Sequence, residues 1–323
     1  MHRLRSVSLS SLLALALAAA CTPTEPTRPS TTEVKATKPG GGGTGPVGQP
    51  LGAVGGSKAY AVNGSYAVGR DGTPSAVAWD ASGTTIPLPV DGSVTSSTAS
   101  GINQASTIVG SAGPTAAVWQ TAGPGAWAPA VPLPNPAGSW SSTWAYAVND
   151  QGQIAGTGTR TDNLKFALRW TPSPSGYLVE VAPAAGAEYE FVGHAIANGS
   201  GWVTGWVRRN VGGTAAKDAF VWTASGTFRL LARYGGAATE ARGINASGRI
   251  VGWSATAPRG GDSSPVTWSC TEAACTPPTV LPAFYRNLNY AFSINDAGDI
   301  VGTSGLDAIL YSRCGGTVVL HPP

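Results

Sequence analysis

The apolar positions of this chain fall in short alternating runs, and the runs follow one order six times over. In the last copy Ser293-Ile294-Asn295 leads into a turn, Asp296-Ala297-Gly298-Asp299. The chain then leaves through Ile300-Val301-Gly302 to an apolar stretch ending on an aromatic, Ala308-Ile309-Leu310-Tyr311. Ala147-Val148-Asn149 to Gly156 with Ala167-Leu168-Arg169-Trp170 repeats the order, as does Gly243-Ile244-Asn245 to Gly252 with Pro265-Val266-Thr267-Trp268. The asparagines Asn63, Asn103, Asn149, Asn198, Asn245 and Asn295 recur every 40 to 50 residues. That period belongs to a propeller blade rather than to an array of helical hairpins.

Each copy predicts a hairpin. In the fifth, Gly243-Ile244 enters as a strand, Asn245-Ala246-Ser247-Gly248 turns, and Arg249-Ile250-Val251-Gly252-Trp253 leaves as the partner strand. The asparagine side chain can bond its own following backbone, and Gly248 suits the positive-φ position of a type I turn with a G1 bulge. The first copy is one residue shorter, and its Asn63-Gly64 pair predicts the type I′ turn of a two-residue loop. Two copies depart from the pattern. The second has Ser106 in place of the turn glycine, and the fourth, His194-Ala195-Ile196-Ala197-Asn198, is offset by one residue.

A third strand follows a variable loop: Ala76 to Trp79, Ala116 to Trp119, Ala167 to Trp170, Ala219 to Trp222, Pro265 to Trp268 and Ala308 to Tyr311. A weaker fourth strand ends near Leu88, Leu133, Val181, Leu230, Leu281 and Leu320. Four strands per copy make a blade, so the predicted fold is all-β, a six-bladed β-propeller of four-stranded antiparallel sheets over residues 57–323. The small residues Ala61, Gly101, Ala147, Gly243 and Ser293 suit a crowded innermost strand, and the repeated tryptophan belongs between sheets. No spare strand at either terminus completes the blade at the other end, so the ring is expected to close by packing.

These residues carry a family resemblance. The combined Asn-x-x-Gly, Ile-Val-Gly and Ala-Phe-x-Trp spacing, with Asp218-Ala219-Phe220-Val221-Trp222 as its clearest third-strand segment, resembles the exported HAF repeat family of bacteria. The resemblance covers everything after residue 56. It implies export and repetition, and no reaction.

The ends support export. His2, Arg3 and Arg5 precede an apolar run from Leu12 to Ala20, too short to span a bilayer as a mature helix. The run stops at Leu17-Ala18-Ala19-Ala20-Cys21, which resembles the lipobox of bacterial lipoproteins, with Ala18 where leucine is commoner. Residues 1–20 read as a lipoprotein signal peptide and Cys21 as the lipidated N-terminus. An ordinary signal peptide with an incidental cysteine is the alternative. Residues 21–56, rich in Pro, Thr and Gly, read as a disordered tether with a coil reach of roughly 30 Å.

Removing the signal leaves 18 basic residues against 17 acidic ones, so the formal charge of +3 gives no argument for nucleic acid. Few charges, 44 glycines and 11 tryptophans suit an exported all-β protein. Export favours a disulfide, and Cys270 and Cys275 bracket a loop short enough to bridge a hairpin. Cys314 is left over, buried or paired with a second molecule.

Candidate chemistry is sparse. The mature chain has two histidines, His194 and His321, each alone, and it carries no nucleophile elbow, His-Glu-x-x-His, phosphate loop or EF-hand. No cofactor or metal is expected. Asp71, Asp162, Asp218, Asp262 and Asp307 map to the loops between second and third strands, where a carboxylate ring could bind a cation or a hydroxyl-rich ligand. Aspartate is also a common turn residue. Trp206 and Trp253 each follow a repeat glycine, and Trp140, Trp144 and Tyr146 lead into the third copy. Exposed, these rings would stack sugars; buried, they thicken the contact between blades.

The reading that follows is a non-enzymatic lipoprotein of the bacterial cell envelope, anchored by lipid at the outer membrane, that presents loops for a protein or glycan ligand. Secretion without an anchor, a carboxylate-based polysaccharide hydrolase or lyase, and a purely structural envelope protein are the alternatives.

Overall fold

Alternation with period two places one side of each strand toward one neighbour and the other side toward the next, so these sheets are buried on both faces. The computed structural model describes residues 57–183, 190–211, 214–236, 238–256, 262–282, 289–305, 307–312 and 316–320. The signal peptide, Cys21 and the tether lie outside the described residues, as do Cys314 and His321. Blade 1 is β1 (Lys58–Val62), β2 (Tyr66–Arg70), β3 (Ala76–Asp80) and β4 (Thr85–Pro87). Blade 2 has β5 (Ser97–Ile102), β6 (Ile108–Ala112) and β7 (Thr115–Trp119), an inserted hairpin of β8 (Thr121–Gly123) and β9 (Ala126–Trp127), and β10 (Val131–Pro132). Blade 3 is β11 (Trp140–Val148), β12 (Ile154–Arg160), β13 (Lys165–Ser173) and β14 (Gly176–Val181). Blade 4 is β15 (Glu190–Ile196), β16 (Val203–Val211), β17 (Thr214–Trp222) and β18 (Phe228–Leu230). Blade 5 is β19 (Thr239–Ile244), β20 (Arg249–Ala255), β21 (Ser263–Ser269) and β22 (Thr279–Val280). Blade 6 is β23 (Asn289–Ile294), β24 (Ile300–Ser304), β25 (Asp307–Ser312) and β26 (Gly316–Leu320). Each blade is an antiparallel meander in chain order, and the six form a propeller. No described strand is exchanged between the termini.

The third-strand aromatics sit between blades. Trp119, Trp170 and Trp268 are fully buried, and each packs with side chains of the preceding blade, as Trp119 does with Val68, Ala76 and Ala78. Each indole N–H donates backward to a carbonyl at the outer end of that blade: Trp119 to Pro89 at 2.8 Å, Trp170 to Pro134 at 2.8 Å and Trp268 to Ala232 at 2.9 Å. The Tyr311 hydroxyl does the same to Pro282 at 2.9 Å. Burying such a ring contributes about 2–3 kcal/mol, and satisfying its one donor keeps that gain.

The repeated asparagine has two tasks. Its Oδ1 accepts backbone N–H groups of its own turn, from Thr107 in blade 2, Gln153 in blade 3, Arg249 in blade 5 and Asp299 in blade 6. Its Nδ2 donates to the next blade: Asn63 to the Asn103 carbonyl (2.9 Å), Asn103 to Asn149 (3.0 Å), Asn149 to Ala197 (2.9 Å) and Asn245 to Asn295 (3.2 Å). The residue after the asparagine often returns the bond. Asp150 Oδ1 accepts from Gln104 N–H, Asn198 Oδ1 from Asp150 N–H, and Asp296 Oδ1 from Ala246 N–H.

Several sequence expectations are corrected here. Ala197, not Asn198, occupies the repeat position of blade 4, so that blade has no amide to send to blade 5. The Asn63-Gly64 pair does not form a type I′ turn, because neither residue has positive φ; Asn63 Oδ1 closes an Asx turn on Ser65 and Tyr66 instead. Ser106 does adopt the left-handed conformation of the missing glycine, at φ 59°. The fourth strands do end at Val181 in blade 3 and Leu230 in blade 4, and the buried residues are the next ones, Ala182 and Leu231. Gly101 and Gly243 line the channel as expected, and they are also tight against the next blade. A Cβ at Gly101 would lie 2.9 Å from the Tyr146 carbonyl oxygen, and one at Gly243 would lie 3.1 Å from Ser293 Cα.

Two junctions depart from the common plan. Between blades 4 and 5, the Cys270–Cys275 disulfide forms as expected and holds a loop whose Glu272 accepts from the Trp202 indole at 3.2 Å and the Ser225 hydroxyl at 3.0 Å. Arg229 also donates to the Glu272 carbonyl. Between blades 6 and 1 the seam is looser. Val68, Val109, Ala155, Thr204 and Val251 are fully buried, while Val301 at the same position of blade 6 is 45% exposed.

Val251→Ala is expected to lower unfolding free energy by about 2 kcal/mol in urea titrations, for two buried methyls and the cavity they leave. Val301→Ala is expected to cost less than about 1 kcal/mol. Equal losses would show that blade 1 covers Val301 as tightly as blade 6 covers Val251.

Candidate functional site

Every first strand carries a β-bulge at the same place, and β11 carries a second one between Trp140 and Ser142. The register slips between Ala59 and Ala61, Ala99 and Gly101, Ala145 and Ala147, Gly193 and Ala195, Ala241 and Gly243, and Ala291 and Ser293. A bulge leaves one residue out of the ladder and re-aims its side chain. The residues so released are Tyr60, Ser100, Tyr146, His194, Arg242 and Phe292, one from each blade. All six line a single central cavity of about 660 Å³. Tyr60 is 51% and Phe292 41% exposed, so the apolar part of this ring is open to a ligand.

The charged part is organised around a buried carboxylate. Glu240, two residues before Arg242 on β19, is 1% exposed and pairs with Lys217 from blade 4 and with Arg242. Burial pushes its carboxyl up, but His194, Arg242 and Lys217 together outweigh this and hold it below the ordinary value. His194 moves the other way. Burial lowers its pKa, against the opposing pull of Glu240. The Trp206 indole N–H lies 3.0 Å from His194 Nε2, the same nitrogen that approaches Glu240 Oε1 at 3.4 Å, and burial is the largest influence on the ring. At neutral pH the ring is therefore a neutral imidazole.

Trp206 and Trp253 stand on the second strands of blades 4 and 5, half-buried, on either side of Lys217. The Lys217 ammonium lies 4.1 Å from the Trp206 ring and 5.8 Å from the Trp253 ring. Trp253 also meets Tyr290 edge to face at 5.6 Å. The two tryptophans are thus brought together, as the wall behind the channel residues. Trp144 is 41% exposed, and Tyr146 lies beside His194 with ring centroids 5.8 Å apart.

The five aspartates are not brought into one ring. Asp71 closes its own turn through Thr73, and Asp162 accepts from Leu164 N–H and pairs with Arg160 at 2.8 Å. Asp262 is an exposed loop residue. Asp218 is in strand β17, not in a loop, and its buried carboxylate bridges Arg209 at 2.5 Å and Arg233 at 2.6 Å. Asp307 opens β25, and its side chain lies outside the described atoms. The long β16–β17 hairpin moved Asp218 into the sheet, because its turn comes five residues earlier than the repeat spacing suggests.

The far end of the channel is acidic and polar. Gln104, Asp150, Asn198 and Asp296 line it, and Asn198 Nδ2 reaches Asp296 Oδ2 at 2.8 Å, from blade 4 to blade 6 past the blade between. Sequence reasoning missed the bulge layer as a set. Its signal was present: each member stands three residues before the repeat asparagine, or before Ala197 in blade 4.

No family model matches the chain, and no curated protein matches it. Among solved structures, a triple arginine-to-alanine mutant of AofleA from Arthrobotrys oligospora is similar at 10% identity, covering 68% of this chain and 85% of that one, with a TM-score of 0.27. A likeness that weak carries no argument about ligand or activity.

The neutral state of His194 has a pH signature. Its folded pKa is lowered, so it stabilises the fold above the unfolded value of about 6.5 and loses that contribution as pH falls below it. Thermal unfolding followed by near-UV circular dichroism is expected to show a falling Tm from about pH 7 to about pH 5, before carboxylates titrate. In His194→Phe the slope over that interval should flatten. An unchanged slope would mean that His194 is protonated in the folded protein.

Proposed function

We propose that the chain is a lipid-anchored protein of the bacterial cell envelope, of the HAF repeat type, whose propeller binds a protein or glycan ligand and catalyses no reaction. The observation that supports binding is the bulge layer. The residue before each bulge is alanine or glycine, and four of the alanines are fully buried. Between these uniform positions one site per blade varies from Tyr to Ser, His, Arg and Phe, and all six face one cavity. Packing asks for no such variety, whereas recognition of an asymmetric ligand does.

The anchor rests on Cys21 after its small-residue triplet, and the tether of residues 21–56 lets the propeller stand clear of the lipid surface. Outer-membrane placement completes the proposal. The lone histidines, and aspartates engaged in turns or arginine pairs, support a binding role over hydrolysis.

Two measurements test this reading. On glycan and envelope-protein arrays, Tyr60→Ala combined with Phe292→Ala should weaken binding about tenfold or more, and Asp71→Ala should leave it unchanged. Turnover of a polysaccharide abolished by a single aspartate change would replace the binding role with an enzymatic one. Cys21→Ala should shift the chain from the membrane to the soluble fraction; a chain that stays with the membrane in that variant has no lipid anchor at Cys21.

A further inference from the structure

The central channel is polarised along its axis. At the bulge layer Arg242 lines the cavity, and Lys217 and Glu240 pair behind it with His194 neutral, so two cations stand against one carboxylate there. At the far end the charged groups on the wall are Asp150 and Asp296, whose carboxylates each accept a backbone N–H of the preceding blade. An anion entering this channel is drawn to the bulge layer and repelled from the opposite end.

Arg242 meets Glu240 through Nε, and its two terminal nitrogens have no protein hydrogen bond among the described residues. Glu240 is already shared with Lys217, so one guanidinium edge is left to face the cavity. His194, in the neighbouring blade, lines the cavity beside it. On the other side, in chain order around the ring, stand Phe292 and Tyr60, both open to solvent. A planar fork of donors next to exposed aromatic faces matches a carboxylate carried on a ring whose C–H face can stack.

An extended peptide fits less well. Peptides add to a sheet by pairing with a regular free edge, and the bulge in every first strand breaks that edge where it lines the channel. The volume of about 660 Å³ is that of an ordinary ligand cleft and has room for a short run of sugar rings.

We propose that the bulge layer binds a carboxylated sugar, a uronic acid residue of an acidic polysaccharide, with Arg242 forked onto the carboxylate and Phe292 and Tyr60 against the ring face. This rests on the binding role proposed above and specifies its ligand.

The test uses calorimetric titration of the purified full chain with an oligouronate, its methyl ester and a neutral oligosaccharide of equal length. The ester keeps the sugar and removes the charge, so the comparison needs no mutation. The acid should bind at least about tenfold more tightly than the ester, since a charge-assisted bidentate pair is worth at least that much. Arg242→Gln should erase the preference and Arg242→Lys should restore part of it, with folding checked by near-UV circular dichroism. Phe292→Ala should weaken acid and ester alike.

Equal affinity for acid and ester overturns the carboxylate assignment and leaves a neutral glycan site standing. A preference that survives in Arg242→Gln overturns the role of Arg242. Stronger binding of a sulfated oligosaccharide or an acidic peptide than of the oligouronate overturns the ligand class. If no sugar binds at all, the assignment fails, and an array that also shows no protein ligand removes the binding role with it.

Discussion

A four-stranded blade has two faces to bury and covers neither by itself, so everything in this protein depends on how one blade grips the next. The grip has two parts at different radii. Near the axis, an asparagine amide closes its own turn with Oδ1 and reaches the adjacent blade with Nδ2, satisfying backbone groups that would otherwise be buried without partners. Further out, an aromatic ring fills the gap between sheets, and in Trp119, Trp170, Trp268 and Tyr311 it ties its one polar atom to the blade behind. Polar and apolar terms act at the same junctions.

Departures from that grip show what it does. Blade 4 carries Ala197 in place of the asparagine, and its junction with blade 5 is held otherwise: a disulfide-closed loop clamps one end through Glu272, and Lys217 with Glu240 joins the other. The ion pair can be buried because three further groups neutralise or solvate it, Arg242, His194 and the face of Trp206. The same junction carries Arg242, the cation of the channel wall. At the seam between blades 6 and 1, Asn295 Nδ2 turns back to Asp299, and Val301 stays half-open.

Much of the site was written in the repeat but not recognisable as a site. Tyr60, Ser100, Tyr146, His194, Arg242 and Phe292 occupy one repeat position, yet alternation alone assigns them to a sheet face, since a bulge adds a residue without leaving a composition signal. Trp206 and Trp253 were visible from their place after the repeat glycine, but the cation between them comes from Lys217, on the third strand of blade 4. The aspartates illustrate the converse. Similar spacing put five of them in one class, and the structure divides them among turn closure, a loop surface and a buried arginine bridge, because hairpin length differs from blade to blade.

The sequence by itself determined the number of blades, the strand order within each, the aromatic mortar and the Cys270–Cys275 pairing. All of these are local or periodic, and periodicity survives in a one-dimensional string. Only the tertiary structure decided which residues face the axis, that Glu240 is buried among cations while Asp150 and Asp296 stand at the far end, and that one seam is looser than the rest. Those facts depend on one-residue shifts of register and on polar and charged groups from different blades meeting across 23 to 98 residues of chain, distances at which a repeat pattern carries no information.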